Sequence, residues 1–346
     1  MRLHCNTSTL GERMRTVIKR IAIGAGVVIL VPVLWVGANL ALLAATGTGA
    51  EVSAWKSEQG RAEFRHLYDE TMALMPPPAQ TWDVPTDFGS VRAYRFEKPG
   101  ADETYRALPP IVLLPGHSAP VPMWHGNLPH YLPERPVIAI DLLGQPGLSE
   151  PTRPVTNEAD QARWLDQTLA GIGVARAHLV GVSFGGWTAT NYALHHPERV
   201  ASLSLFDPAY VFAPVKLSFM LAAAGTMFPL MPPGYDAWFT RYTANGADTS
   251  GVPEAALIEA GIEHYSVVEP APSQIEEAEL RRLAVPTFVV LGGRSALHDA
   301  SAALETVRRT MPQAEVELKP EGSHAVHGEY ADELDARVLA FVAQHD

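Results

Sequence analysis

The chain has 346 residues, 47% of them hydrophobic and 18% charged, which is enough for one large α/β domain with an appendage. Its formal charge of −12 is uneven: residues 1–46 carry five basic side chains (Arg2, Arg13, Arg15, Lys19, Arg20) against Glu12, and the rest holds 21 basic and 37 acidic ones. An acidic body without a basic stripe excludes nucleic acid as a partner, and the single Cys5 leaves the body without a disulfide, a thiol nucleophile or a zinc–thiolate site.

In chain order, the basic residues 1–20 come first, on the cytoplasmic side by the positive-inside rule. Ile21 to Ala45 follows without a charge, long enough to cross about 30 Å of hydrocarbon as a helix. The expectation is a transmembrane anchor over 21–45 with the body extracytoplasmic; the alternative is a signal peptide cut within Ala44–Ala50, which would leave a secreted body. Residues 53–75 place Phe64, Leu67, Tyr68, Thr71, Met72 and Met75 at helical spacing before Pro76-Pro77-Pro78. An alternating run from Val91 to Phe96 opens a series of short apolar strands: Ile111–Leu114, Val137–Ile140, His178–Val182, Ser202–Phe206, Thr287–Leu291 and Val316–Leu318. Helices fit at 158–171, 184–195, 300–311 and 330–344. Continuous apolar strands alternating with helices predict a mostly parallel sheet covered on both faces.

Between Phe206 and Thr287 the rhythm stops. Residues 210–240 are unusually apolar, and 254–283 is acidic. An insertion of this size predicts a helical cap over 210–283, above the C-terminal strand ends where open α/β sheets bind ligands. Most of its apolar residues serve the cap's own core, while a few, Phe212 among them, face a substrate pocket.

Gly181-Val182-Ser183-Phe184-Gly185 carries the chemistry. It lies between a strand and the helical run 184–195, the context in which G-x-S-x-G forms a strained turn that exposes a nucleophilic serine. The helix N-terminus behind Ser183 offers free N–H groups to a developing oxyanion. None of the thirteen histidines falls in an H-E-x-x-H pattern, and no metal or other cofactor is expected.

With the elbow stand Leu113-Leu114-Pro115-Gly116-His117, then Trp124, then Asp141-Leu142-Leu143-Gly144-Gln145-Pro146-Gly147, then Phe206-Asp207-Pro208 and Gly322-Ser323-His324, in that order over most of the body. The chain resembles the serine α/β-hydrolases, and more narrowly bacterial carboxylesterases of the naproxen-esterase type. The resemblance implies an α/β-hydrolase domain over 53–346, a Ser–acid–His triad, and hydrolysis of carboxylic esters with small to medium apolar acyl groups. Ser183 is the nucleophile and His324 the base, with His327 three residues on as its competitor. The backbone N–H groups of Phe184 and His117 form the oxyanion hole, and Trp124 and Phe212 line the pocket. Where most of the family has its acid, after the strand ending at Gly292-Gly293-Arg294, this chain has Ser295, which cannot hold an imidazolium. Asp207 is therefore expected as the acid, with Asp299, four residues past Ser295, as the alternative. A carbon–carbon bond hydrolase on the same triad and an inactive membrane-tethered binding protein are the competing functions.

Overall fold

The computed structural model describes residues 34–39, 41–42 and 51–346. The basic segment 1–20 lies outside the described residues, as does most of 21–45; 34–39 and 41–42 are helical. No helix among the described residues is long and apolar enough to cross a membrane. The chain divides into two compact units, one made of Met1–Thr48 with Met227–Pro233, the other of Gly49–Thr226 with Gly234–Asp346. In the described part of the first, Asn39 is buried: its amide donates to the Trp35 carbonyl (2.9 Å) and its oxygen accepts the Leu230 N–H (2.8 Å). The Trp35 indole donates to the Leu230 carbonyl and meets Phe228 edge-on at 5.7 Å.

The second unit is built on strands β1 (Gln80–Thr86), β2 (Gly89–Phe96), β3 (Ile111–Leu114), β4 (Val137–Ile140), β5 (Ala177–Val182), β6 (Val200–Phe206), β7 (Thr287–Gly292) and β8 (Glu315–Lys319). They lie in the order β8-β7-β6-β5-β3-β4-β2-β1; β3 to β8 are mutually parallel, whereas β1 and β2 form an antiparallel hairpin on one edge. Ile111-Val112-Leu113-Leu114 and Val137-Ile138-Ala139-Ile140 are apolar throughout because both faces are covered. Alternate residues feed two cores. Val112, Leu114, Ile138, Leu179, Leu205 and Val289 pack with Trp164 and Leu165 of α2 (Glu158–Gly171) and Tyr192 of α3 (Phe184–His195). Leu113, Ala139, Val180, Phe206, Phe288 and Val290 face α1 (Glu58–Met72) and the C-terminal helix Ala331–Val342.

Strand β1 escapes the sequence pattern because only Val84 of its seven residues is buried, and Pro85 is tolerated on an edge. Between β6 and β7 the chain forms α4 (Leu217–Gly225), α5 (Tyr235–Thr243), α6 (Pro253–His264) and α7 (Glu277–Arg282). Helix α6 buries Ala255, Leu257, Ala260 and Gly261 and packs on α1, where Gly60 gives room to the His264 side chain. Chain order runs β3, β4, β5, but β3 is flanked by β4 on one side and β5 on the other. The loops leaving β3 and β5 therefore part in opposite directions, opening a crevice at their C-terminal ends.

Candidate active site

That crevice is where the elbow stands. Ser183 joins β5 to α3 with φ 53° and ψ −116°, a conformation costly for any residue with a Cβ. The turn is possible because its neighbours are small: a Cβ on Gly181 would lie 2.4 Å from the Gly185 carbonyl oxygen, and one on Gly185 would lie 2.1 Å from that of Leu114. Backbone bonds lock it, Ser183 N–H to the Phe206 carbonyl (3.0 Å) and Ala209 N–H to the Ser183 carbonyl (3.1 Å). The second of these ties the elbow to the chain just beyond β6.

His324 leaves the loop after β8 and puts Nε2 2.9 Å from Ser183 Oγ and Nδ1 2.6 Å from Asp207 Oδ2. The carboxylate fixes the tautomer: Nδ1–H donates to Asp207, and Nε2 is left to accept the serine hydroxyl. The structure thus brings Ser183, Asp207 and His324 together in one hydrogen-bonded row. Asp207 has no exposed surface and adopts φ 44°. Burial alone would raise its pKa. The interactions with His298 and His324 outweigh burial and hold the carboxyl well below the usual carboxylate range. Asp299 is not part of the row. It caps helix α8 (Ala300–Thr310), accepting the N–H groups of Ser301 (2.9 Å) and Ala302 (3.1 Å). His327 does not reach the serine either. Its ring meets Trp124 at 5.6 Å, and burial, then the nearby His324, push its pKa down to about 4.

The loop after β7 matters more than its sequence suggests. Ser295 Oγ donates to Asp207 Oδ2 at 2.6 Å and accepts the Leu297 N–H at 3.1 Å. The Gly292 N–H donates to Asp207 Oδ1 at 3.0 Å, and His298 Nε2 faces that oxygen at 3.3 Å. Ser295 cannot replace a carboxylate, but it grips one. No sequence motif marks His298, which stands as a single histidine beside Asp299 at a helix start.

Among the described residues the N–H groups of Phe184 and His117 donate no hydrogen bond. A Cβ on Gly116 would sit 3.6 Å from Ser183 Cβ, so the loop after β3 passes directly beside the nucleophile. The His117 ring is exposed, with Nδ1 2.9 Å from the Ser118 hydroxyl. Both residues expected in the pocket are buried. Trp124 has no exposed surface and packs in the core of the α1 face. Phe212 is 3% exposed, because all of Asp207 to Ala213 but the half-buried Tyr210 lies in the core before the chain emerges at Pro214. The aromatic ring that meets the site is Phe219 of α4, 6.0 Å from the His324 ring and packed on Phe239 and Tyr242 of α5. Thr243, at the end of α5, accepts the His324 backbone N–H.

A cavity of about 60 Å³ lies between Phe184, Trp187, Val155 and Glu269 and adjoins a groove of about 390 Å³ that contains none of the triad. Glu269 closes this region: burial pushes its pKa up to about 7 against one opposing hydrogen bond from Gln145, whose own oxygen accepts the Ser118 N–H. No three His, Cys, Asp or Glu side chains gather as a metal site among the described residues.

A serine on a strained turn at the switch point of a mostly parallel sheet, within hydrogen-bond reach of a late histidine, is the arrangement of the α/β-hydrolase fold. The chain has that fold, and residues 109–266 match a family model described as alpha/beta hydrolase fold. It is 25% identical to the uncharacterized carboxylesterase nap of Bacillus subtilis over 80% of this chain and 91% of the relative. It is 24% identical to carboxylesterase YbfK of the same organism over 81% and 93%. The crystal structure of naproxen esterase from Bacillus subtilis superposes with a TM-score of 0.74 at 24% identity, covering 82% of this chain and 99% of that one.

Proposed function

We propose that the chain is a serine carboxylesterase that works through an acyl-serine intermediate on small to medium apolar esters. The observation that supports this most is the position of His324, within hydrogen-bond reach of both Ser183 and the buried Asp207. The carboxylesterase relatives, matched over about four-fifths of the chain, favour ester hydrolysis over carbon–carbon cleavage or a binding role without catalysis.

As Ser183 Oγ attacks the acyl carbon, its proton passes to His324 Nε2, and the resulting imidazolium is held by Asp207. The carbonyl oxygen becomes an oxyanion facing the N–H groups of Phe184 and His117. His324 returns the proton to the departing alkoxide, leaving the acyl group on Ser183. Water then attacks the ester carbon, His324 takes its proton, and the carboxylic acid leaves as Oγ is reprotonated. Phe219 gives the acyl carbon an apolar neighbour on the cap side. A p-nitrophenyl ester series of increasing acyl length tests this. Ser183→Ala should lower kcat by about 10⁶; full activity in that variant would sink the assignment.

We also infer that residues 21–45 tether the chain to a membrane with the body outside the cytoplasm. The five basic residues that precede an uncharged run support this. Protease added to spheroplasts should then digest the body; a body protected until lysis would overturn the orientation.

A further inference from the structure

Asp207 is shared between two imidazoles, one on each oxygen. Oδ2 accepts His324 Nδ1–H and the Ser295 hydroxyl, both at 2.6 Å, while Oδ1 accepts the Gly292 N–H and faces His298 Nε2 at 3.3 Å. His298 is 1% exposed and Asp207 has no exposed surface, so no water dilutes the contact. We propose that His298 is a positioning residue for the triad: its Nε2–H takes part of the carboxylate's charge and thereby limits the basicity of His324. This rests on the Ser183–His324–Asp207 reading given above.

The chemistry of the site fixes the state of His298. Nε2 faces an anionic oxygen, so it must carry hydrogen, since two bare lone pairs would repel. Neither ring nitrogen makes a well-aligned hydrogen bond: Nε2 has only its 3.3 Å contact with Asp207 Oδ1, and Nδ1 is buried with no polar partner, so a proton there would sit unpaired in a dry site. The geometry therefore favours the Nε2–H tautomer. The other charged groups around it fit this state. Lys216, whose ammonium donates to the Ser295 carbonyl, disfavours an imidazolium. Asp299, next in the chain, is exposed and turned toward the N–H groups it caps. His324 is reached only through Asp207. The loop is pinned besides by the pairing of His298 with Val215 and by the bond from Lys216 N–H to the Leu297 carbonyl (2.8 Å).

The sign of the effect follows. Removing the Nε2–H donor leaves Asp207 with more undivided charge, which favours the imidazolium of His324 and raises its pKa. The acid limb of kcat/KM, where the base becomes protonated, then moves to higher pH. In the full chain, His298→Phe should move that limb up by about half to one pH unit, a loss of about three- to tenfold at pH values below it beyond any loss on the plateau. Ser295→Ala removes a donor from the other oxygen and should move the limb the same way. His298→Gln, with an amide donor in place of the ring, should bring the limb back toward wild type. A variant that merely packs badly would lose activity equally at every pH, so an unmoved or lowered limb in His298→Phe overturns the proposal. Should His298→Phe fail to fold, ¹⁵N-histidine NMR on the wild-type protein decides. A neutral Nε2–H tautomer at His298 from about pH 6 to 9 supports the proposal, and an Nδ1–H tautomer or an imidazolium overturns it. Hydrolysis that survives Ser183→Ala would instead sink the esterase reading itself, an outcome distinct from an unmoved limb in a Ser183-dependent enzyme.

Discussion

Asp207→Asn changes one atom in a fully buried site and tests which strand end supplies the acid. The carboxylate accepts on both oxygens, from Gly292 N–H on Oδ1 and from Ser295 and His324 on Oδ2. An asparagine can satisfy only one side. With its oxygen toward Gly292, its NH₂ meets two donors; His324 must then turn to the tautomer that accepts on Nδ1 and carries hydrogen on Nε2. That tautomer cannot take a proton from Ser183, and no negative charge remains to stabilise the imidazolium. In a serine-protease triad the same exchange lowers kcat about 10⁴-fold, which is about 5 kcal/mol of transition-state stabilisation at 1.36 kcal/mol per decade. Asp299→Asn is the matched control. Asn caps a helix as well as Asp does, so the bonds to Ser301 and Ala302 persist in kind and kcat should stay within about twofold. Steady-state hydrolysis of p-nitrophenyl butyrate, with near-UV circular dichroism to verify folding, reads both. A folded Asp207→Asn near wild-type activity beside a crippled Asp299→Asn would refute the assignment.

Phe219→Ala should raise KM for apolar esters by about three- to tenfold with a smaller change in kcat, because the ring stands beside His324 without bonding to it; a KM indifferent to acyl length in both proteins would show that the ring does not meet substrate. Glu269→Gln should stabilise the protein at alkaline pH. Burial raises the folded-state pKa to about 7 from about 4.3 in the unfolded chain, so the ionised carboxylate costs stability above pH 7, and that cost fades as pH falls toward 4. The gain at pH 8 should be about 1–3 kcal/mol and fall to about a third of that at pH 5, as read by denaturant titration; an equal gain at both would assign it to packing. Gly181→Ala should yield little folded protein, because the added methyl meets backbone, the Gly185 carbonyl, which cannot swing aside.

The parallel strands were legible because burial on both faces leaves an unbroken apolar run, and Val137-Ile138-Ala139-Ile140 has few other readings. Strand β1 was not, since an edge strand with one buried residue carries no such run. Ser183 and His324 were legible because the chain's local turn chemistry marks them; pocket residues have no comparable mark. Whether Phe212 or Phe219 meets the site depends on where the chain leaves the core, and hydropathy is silent on that point. Phe212 lies one residue before the last buried position, Ala213, whereas Phe219 lies on a helix whose Leu217 and Leu221 are exposed.

Ser295 marks the limit most clearly. Judged by what it can do to an imidazolium, it is a lost acid. Judged by what it can do to a carboxylate, it is a donor at 2.6 Å whose hydroxyl is aimed by the Leu297 N–H. The ends of β6 and β7 are neighbours in the sheet, with Val290 registered against Phe206, so a side chain from either can reach the same volume beside His324. An acid on one strand therefore draws donors from the other: Gly292 at the end of β7 and Ser295 in the loop after it donate to Asp207, and His298 Nε2 stands 3.3 Å from Oδ1 beside them. The two loops are best regarded as one anion-holding unit. Ser295 serves that unit because one hydroxyl can do both tasks at once, donating to Asp207 Oδ2 and accepting the Leu297 N–H.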